Sequence, residues 1–539
     1  MRLEGLLWIV VAVVGLAAFV GFYDRAFPTA AVDLRVTRQE AKSLAQEYLK
    51  GRDFQLEGYR SAVLFDSDDL GAIYMQHELG LPKANELARR EVPVYFWAAR
   101  WFRPLQKEEY RVRISPDGRI LGFTRLLEED APGANLEQEE ARKLAEEFLK
   151  QQGIDLAQYE SVEASSERLK ERTDHTFVWK RKDFQAAEAE LRLRVVVQGD
   201  QIGSYGPFLK VPEDFERAYA REQSVGTLVT VAMVLVLTLA LAIGALVIFM
   251  RAYKAGELRW RFALGIAAVL LVLLIAGTFN GLPLLEYQHQ TEMDYATFLG
   301  LTLAVTLVVT LIYGLWILLK GGAGEYLTRQ LYPRSLQTLN DLLQRRFTRE
   351  VALSSLRGYA LAFGFLGYLV LFYLIGQRFL GIWLPAEGPY TNILNTAAPF
   401  LYPLLVGLTA AVTEEFAYRF FAIPFLKRYV RWTFLALLIP AVIWAFAHAS
   451  YPVSPVYVRG IELTIAGLVF GYCFIRYDLW TVLVAHYGIN ALIVGLPLLQ
   501  SGNAYFQISG IVVIALGLVP ALLALPGLRR PPAPAAEAA

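Results

Sequence analysis

The sequence predicts a polytopic α-helical membrane protein of about ten transmembrane helices, with an α+β soluble insert made of two repeated modules. Three observations predict it. Hydrophobic residues make up 55% of the 539-residue chain and charged residues only 19%, against roughly 25% charged in a typical soluble chain. Apolar runs near the ~20 residues that cross a hydrocarbon core recur along it. One long polar stretch, Asp24 to Gln223, interrupts these runs and repeats itself. Lys+Arg 52 against Asp+Glu 51 leaves a net charge of +1, without the basic excess of a nucleic-acid binder, and no nucleic-acid partner is expected. The single cysteine, Cys473, excludes an internal disulfide and a Cys-built zinc or iron–sulfur site; in its apolar run it reads as packing.

The first run, Leu6 to Phe22, is flanked by Arg2, Glu4, Asp24 and Arg25 and reads as an uncleaved signal anchor, residues 1–23, although the small residues from Ala12 to Ala18 keep cleavage open. After the polar stretch come Val225–Met250, Phe262–Thr278, Thr297–Leu319, Gly358–Gly376, Ala397–Val412, Phe434–Ala449, Ile461–Ile475, Leu479–Leu498 and Ile508–Leu525. Alternate loops are basic: Arg251, Lys254, Arg259 and Arg261; Lys320 through Arg357; Lys427, Arg428 and Arg431; Arg476; and Arg529-Arg530. The intervening loops hold Glu286, Glu292, Asp294 and Glu387. The positive-inside rule then puts both termini in the cytoplasm and residues 24–223 outside, in what reads as a bacterial cell membrane. The tail, residues 529–539, is Pro/Ala-rich and expected to be disordered.

Within the polar stretch, Gln39-Glu40-Ala41-Lys42-Ser43-Leu44-Ala45 recurs one hundred residues on as Glu139-Glu140-Ala141-Arg142-Lys143-Leu144-Ala145. Apolar residues at 41, 44, 45, 48 and 49 give each copy an amphipathic opening helix. Each copy closes on alternating strands around a Gly turn, Tyr110 to Gly122 and Leu191 to Gly203, and the first carries an extra stretch around Leu70 to Glu91. The modules are bounded at 24–130 and 131–223. This helix-then-hairpin pattern resembles the PepSY domain, which implies an extracytoplasmic module that restrains or guides a protease; a plain partner-binding or spacer module is the alternative. His77 and His175 are isolated and read as surface residues.

Chemistry concentrates in residues 357–528, after a region (224–356) of further spans and basic loops. Ionisable groups inside spans are costly and suggest function. In Thr413-Glu414-Glu415-Phe416-Ala417-Tyr418-Arg419, an α-helix would make Glu415 and Arg419 i, i+4 partners and point Glu414 about 100° away, unpaired and free to act as a base. His448 closes an apolar run that includes Trp444, and His486 and Asn490 lie i, i+4 on one face.

These residues resemble the CPBP family of intramembrane proteases, which includes the type II CAAX prenyl proteases and bacteriocin self-immunity proteins. Its motifs EExxxR, FxxxH and HxxxN/D read here as Glu414-Glu415…Arg419, Trp444…His448 and His486…Asn490, with Trp in place of Phe. The resemblance implies peptide hydrolysis in the membrane. Glu414 and His448 would hold and deprotonate water, His486 and Asn490 would serve the oxyanion, and Arg419 would hold Glu415. The implied partners are a membrane-embedded or membrane-tethered, CAAX-like protein substrate, the bilayer itself, and an extracytoplasmic protein for the insert. A zinc version stays open, with Glu414, His448, His486 and Asn490 offering N and O ligands. Asn is a poor zinc ligand and no HExxH pair exists, so no cofactor is favoured. A transporter or proton relay and a non-catalytic scaffold are the rival functions; the spans lack the internal symmetry of a transporter. The Glu pair is expected near the cytoplasmic end of its span, roughly 20–30 Å from the insert across a core of about 30 Å, where the insert could not plug the site directly.

Overall fold

The computed structural model describes residues 3–27, 32–384 and 389–528. The expected disordered tail (529–539) and the loop charge Glu387 lie outside the described residues. After helix α1 (Leu3–Ala26), the soluble insert runs α2 (Arg38–Lys50), β1 (Arg60–Ser67), α3 (Asp69–Leu79), α4 (Leu81–Arg90), β2 (Tyr95–Phe102), β3 (Glu109–Ile114) and β4 (Ile120–Leu126). It continues with α5 (Gln138–Gln151), β5 (Tyr159–Arg168), β6 (Thr173–Arg181), β7 (Glu190–Gln198) and β8 (Gln201–Lys210). Thr37 opens α2 with a capping box to Glu40, and Glu137 does the same for α5 with Glu140. Ala41, Ala45 and Leu49 on α2, and Ala141, Ala145 and Leu149 on α5, are fully buried, the one-face burial that the sequence periodicity demands.

All eight strands form a single antiparallel sheet in the order β1-β2-β3-β4-β8-β7-β6-β5, so the two halves of the insert are fused edge to edge rather than standing as separate modules. The seam is short, Phe123 opposite Tyr205 and Thr124 opposite Ser204. It admits no side chain at Gly122, where a Cβ would lie 2.3 Å from the Tyr205 carbonyl oxygen. The extra stretch of the first half forms α3 and α4, capped by Asp68. His175 is a correction to the surface reading. It lies on β6, between β5 and β7, and is buried, bonded to Ser166 Oγ (2.8 Å) and the Leu136 carbonyl (3.0 Å). His77 is exposed.

The remaining helices of ten residues or more are α6 (Glu213–Lys254), α7 (Trp260–Asn280), α8 (Tyr295–Leu331), α9 (Arg349–Phe379), α10 (401–429), α11 (Thr433–Phe446), α12 (Tyr457–Arg476), α13 (Leu479–Gln500) and α14 (Ala504–Leu528). Eight helices among the described residues are long and apolar enough to cross a membrane: α1, α6, α7, α8, α9, α12, α13 and α14. The count of about ten also takes in α11, which is apolar but shorter, and α10, which carries the Glu pair. Because α8 continues to Leu331, Lys320 is not a loop residue as its charge suggests; it is buried in the helix, its ammonium 4.1 Å from the centre of the Trp316 ring. The anchor helix α1 is part of the bundle. A Cβ on Gly15 would lie 2.3 Å from the Phe363 carbonyl oxygen of α9, a backbone approach that only small residues permit.

The insert sits on one end of the bundle. The Asn395 side chain, just before α10, exchanges hydrogen bonds with the Phe65 backbone of β1 (2.6 and 2.9 Å). Arg100 of β2 donates to the carbonyls of Tyr287 and His289 (2.8 and 2.6 Å), and Ser501 after α13 donates to Leu34 (3.1 Å). At the opposite end, buried Glu325 pairs with Arg259 and Arg329 (both 3.1 Å). The described chain ends also lie there, with Trp8 against Tyr477 and Gly527 against Thr348.

Candidate active site

The segment Ala411–Ala422 of α10 is π-helical, with a wider turn than the α-helix that flanks it. Such turns are rare and collect at functional sites. The widening changes where the two carboxylates point. In an α-helix Glu414 and Glu415 would diverge; here both approach one ring, His486 of α13. His486 Nδ1 is 2.6 Å from Glu415 Oε1, and its Nε2 is 3.7 Å from Glu414 Oε2. The expected Glu415–Arg419 pair forms at 2.9 Å and is buried. Arg419 is enclosed by aromatic rings, with its guanidinium carbon 4.1 Å from the Trp444 ring centre and 5.3 Å from that of Phe470. Glu414, Glu415, Arg419 and His486 thus form one connected cluster of ionisable groups within the bundle.

Glu414 is not the unpartnered carboxylate that α-helical geometry predicts. The Trp444 indole N–H donates to its Oε2. Among the described residues, no donor is bonded to its Oε1. The tryptophan that stands where the family usually has phenylalanine therefore contributes a hydrogen bond as well as a ring. Read from sequence it is an aromatic exchange of little consequence, and only the partner in space shows otherwise. His448 lies just beyond the end of α11, with its Nδ1 2.7 Å from the Trp444 carbonyl. A carbonyl can only accept, so the proton sits on Nδ1 and the Nε2 lone pair is left free. Helix α13 is held by Asp478 at its N-cap. Asp478 accepts from the Thr481 backbone (2.7 Å), Thr338 (2.8 Å) and Ser354, which fixes the face presenting His486 and Asn490.

Glu414, Trp444, His448, His486 and Asn490 line one cavity of about 580 Å³. Asp66, Ser67 and Asp69 of the insert's β1–α3 corner line the same cavity. This corrects the expectation that the site lies far from the insert. The sequence places the Glu pair at the end of a span closing at Val412, whereas α10 starts under the sheet at Leu401 and continues to Tyr429, leaving Glu414 mid-helix. The same cavity holds a cluster that the sequence reading passed over. Arg459 donates to fully buried Glu462 (2.6 Å), which also accepts from Tyr373 (2.7 Å). Its signal was visible, a glutamate inside an apolar run. For zinc, among the described residues no three His, Cys, Asp or Glu side chains are grouped to hold a metal ion. His486 Nδ1 is engaged by Glu415 and His448 Nδ1 by a carbonyl.

Residues 396–492 match the family model described as type II CAAX prenyl endopeptidase Rce1-like. The chain is 22% identical over 508 residues to the sporulation-killing factor biosynthesis protein SkfC of Bacillus subtilis (strain 168), an alignment spanning 92% of this chain and 95% of that protein. No solved structure matches. The matched segment runs from the loop before α10 to the middle of α13 and holds every residue of the Glu414–His448–His486–Asn490 constellation, so the C-terminal region of this chain is similar to the Rce1-like CAAX protease domain.

Proposed function

We propose that this chain is an intramembrane endopeptidase in which Glu414 activates a water held between it and His448. The observation that carries the reading is the shared cavity. Glu414 keeps one oxygen free, His448 offers an Nε2 lone pair, and His486 and Asn490 stand on the facing helix. Glu414 takes the proton of the water as its oxygen attacks the scissile carbonyl. The oxyanion receives hydrogen bonds from His486 Nε2–H and the Asn490 amide, whose effect is largest in a dry site. Glu414 then returns the proton to the departing amine as the C–N bond breaks. Glu415 acts through His486, holding Nδ1–H so that Nε2 faces the reaction; it is a positioning residue, itself held by Arg419. The substrate is a membrane-embedded or membrane-tethered protein.

Reconstituted in lipid vesicles, the wild type should cleave membrane-anchored peptides, and Glu414→Gln should cut about 10²–10⁴-fold more slowly with its fold retained, the range for loss of a general base. Full activity in Glu414→Gln overturns the mechanism. Activity should survive strong chelators; zinc near one per chain, with activity lost on stripping and restored on addition, overturns the metal-free reading. The rival transporter reading requires solute or proton flux that Glu414→Gln removes without any cleavage in the wild type.

The basic ends of the helices and both described chain ends lie opposite the insert, which supports cytoplasmic termini and an outward-facing insert. The cavity then opens from the outer half of the bilayer. A reporter active only in the cytoplasm, fused after Pro212, should be silent; its activity would invert the topology.

A further inference from the structure

Helix α6 grips the turn that carries His448. Strand β8 ends at Lys210 and α6 begins at Glu213, so the insert runs into this helix almost without a break. The turn between α11 and α12 covers residues 447–456, and its His448, Tyr451, Pro452 and Val453 line the cavity. Residues 222, 226 and 230 of α6, spaced by four and so on one face of the helix, hold that turn from outside. The Glu222 carboxylate accepts from Ser454 Oγ (2.9 Å to each oxygen) and from the Val456 N–H (3.1 Å). Val456 is the N-cap of α12, the end at which an anion is favoured. Gly226 meets the Ala449 carbonyl so closely that a Cβ would lie 2.4 Å from its oxygen. Thr230 Oγ1 accepts the Ser450 N–H at 2.8 Å. The two residues that follow His448 are thus both fastened to α6. On the other side of the turn, the Trp383 backbone exchanges hydrogen bonds with that of Ser454 (3.0 and 3.1 Å), and its ring centre is 5.9 Å from that of Tyr219 of α6.

The same helix reaches the other half of the site. Thr238 Oγ1 is 3.4 Å from the hydroxyl of Tyr418, in the π-helical segment of α10 that carries Glu414. Helix α6 therefore touches both elements whose spacing sets the place of the water, while neither Glu222 nor Thr230 lines the cavity. His448 stands past the end of α11, so that helix does not fix the backbone that follows it. Reacting groups misplaced by about 1 Å can lose ~10²-fold in rate. We propose that Glu222 and Thr230 are positioning residues for the hydrolysis: through the turn they hold His448 so that its Nε2 stays aimed at the water beside Glu414. The proposal rests on the endopeptidase reading. It adds two residues that lie outside the 396–492 segment and touch no substrate.

The test uses the full chain in lipid vesicles and reads two quantities: cleavage of a quenched-fluorescent, membrane-anchored peptide, and the ring-nitrogen NMR signals of His448 in protein with labelled histidine. The chain has only five histidines, and His448→Gln identifies the signals of that ring. In the wild type they should be those of a neutral ring protonated at Nδ1. Glu222→Ala should lower cleavage about 10–100-fold, mostly in kcat rather than KM, and should broaden or split the His448 signals. Thr230→Val keeps the shape and deletes the acceptor, and should lower kcat by up to about 10-fold with a shift of the same signals. Thr230→Ser keeps the hydroxyl and should restore both. Glu213→Gln, which breaks an exposed ion pair with Arg217 on the same helix, should match the wild type. If Glu222→Ala does not fold, the comparison of Thr230→Val with Thr230→Ser decides. His448 signals unchanged in the variants overturn the proposal, and so does wild-type kcat in the variants of a cleaving enzyme. His448 signals that respond to Glu222→Ala and Thr230→Val in a protein that cleaves no peptide keep the positioning of the ring and sink the endopeptidase reading instead.

Discussion

The bundle contains two buried Arg–Glu pairs of the same chemistry in different surroundings. Arg419 and Glu415 lie four residues apart on α10, and Arg459 and Glu462 three apart on α12. In the first pair the guanidinium is 2% exposed and covered by the Trp444 and Phe470 rings. In the second it is 22% exposed and forms part of the cavity wall. The glutamates differ in the complementary sense. Glu415 makes its second interaction with His486 of α13, whereas Glu462 makes its second with the Tyr373 phenol of α9. An ion pair in a low-dielectric bundle is thus no role in itself. What distinguishes the pairs is what reaches the cavity: in α10 it is the histidine beyond the pair, and in α12 the arginine within it.

Breaking the first pair should have the larger effect. Arg419→Ala leaves Glu415 buried, with only His486 as partner, and its Oε2 already lacks one. Removing one partner of a buried pair costs about 3–5 kcal/mol. The ring shelf of Trp444 and Phe470 also loses its cation. Thermal unfolding in detergent should fall by several degrees, and peptide cleavage should be lost together with it. A variant as stable as wild type and fully active would show that Arg419 is no more than a packed surface for Trp444. Arg419→Lys keeps the charge but not the planar stack, and should retain the fold better than the activity.

How much of this was legible in the chain follows from the range of each signal. The glutamate pair, Arg419, His448, His486 and Asn490 stand out because ionisable and amide groups are rare in apolar runs, and the structure brings Glu414, His448, His486 and Asn490 to one cavity. The α2 and α5 helices could be read from burial at 41, 45 and 49 and again at 141, 145 and 149, a pattern local to each helix. The joining of β4 to β8 could not, because a seam of two residue pairs leaves almost no compositional trace. The π-helical segment Ala411–Ala422 also escapes, since backbone hydrogen-bond register is not written in side-chain periodicity over so short a stretch. That one omission misdirected Glu414. The insert's approach to the cavity rests on polar contacts between its strands β1 and β2 and the connections of the bundle, Phe65 with Asn395 and Arg100 with Tyr287 and His289. Such contacts are recognisable only once both partners are in place. The insert consequently forms part of the cavity wall through Asp66, Ser67 and Asp69, rather than standing as a remote module.

The smaller and sharper test separates the ring of Trp444 from its N–H. Trp444 covers Arg419 with its face and donates through its edge to Glu414, so it belongs to the first pair and to the base at once. Trp444→Phe restores the residue usual in the family motif. It keeps an aromatic surface over the guanidinium and deletes only the donor. If the ring is what matters, stability and turnover should both be near wild type. If the hydrogen bond fixes the rotamer of Glu414 and leaves Oε1 turned to the water, turnover should fall while the fold holds. A hydrogen bond to a charged group contributes about 1.5–3 kcal/mol, so kcat should drop roughly 10-fold to 100-fold. KM should move far less, because the indole N–H faces the carboxylate and not the peptide. A purified Trp444→Phe protein with unchanged kcat would assign the tryptophan to packing alone. A fall in kcat with an unchanged melting temperature would make it a positioning residue for the base, a role that no ring without a donor can fill.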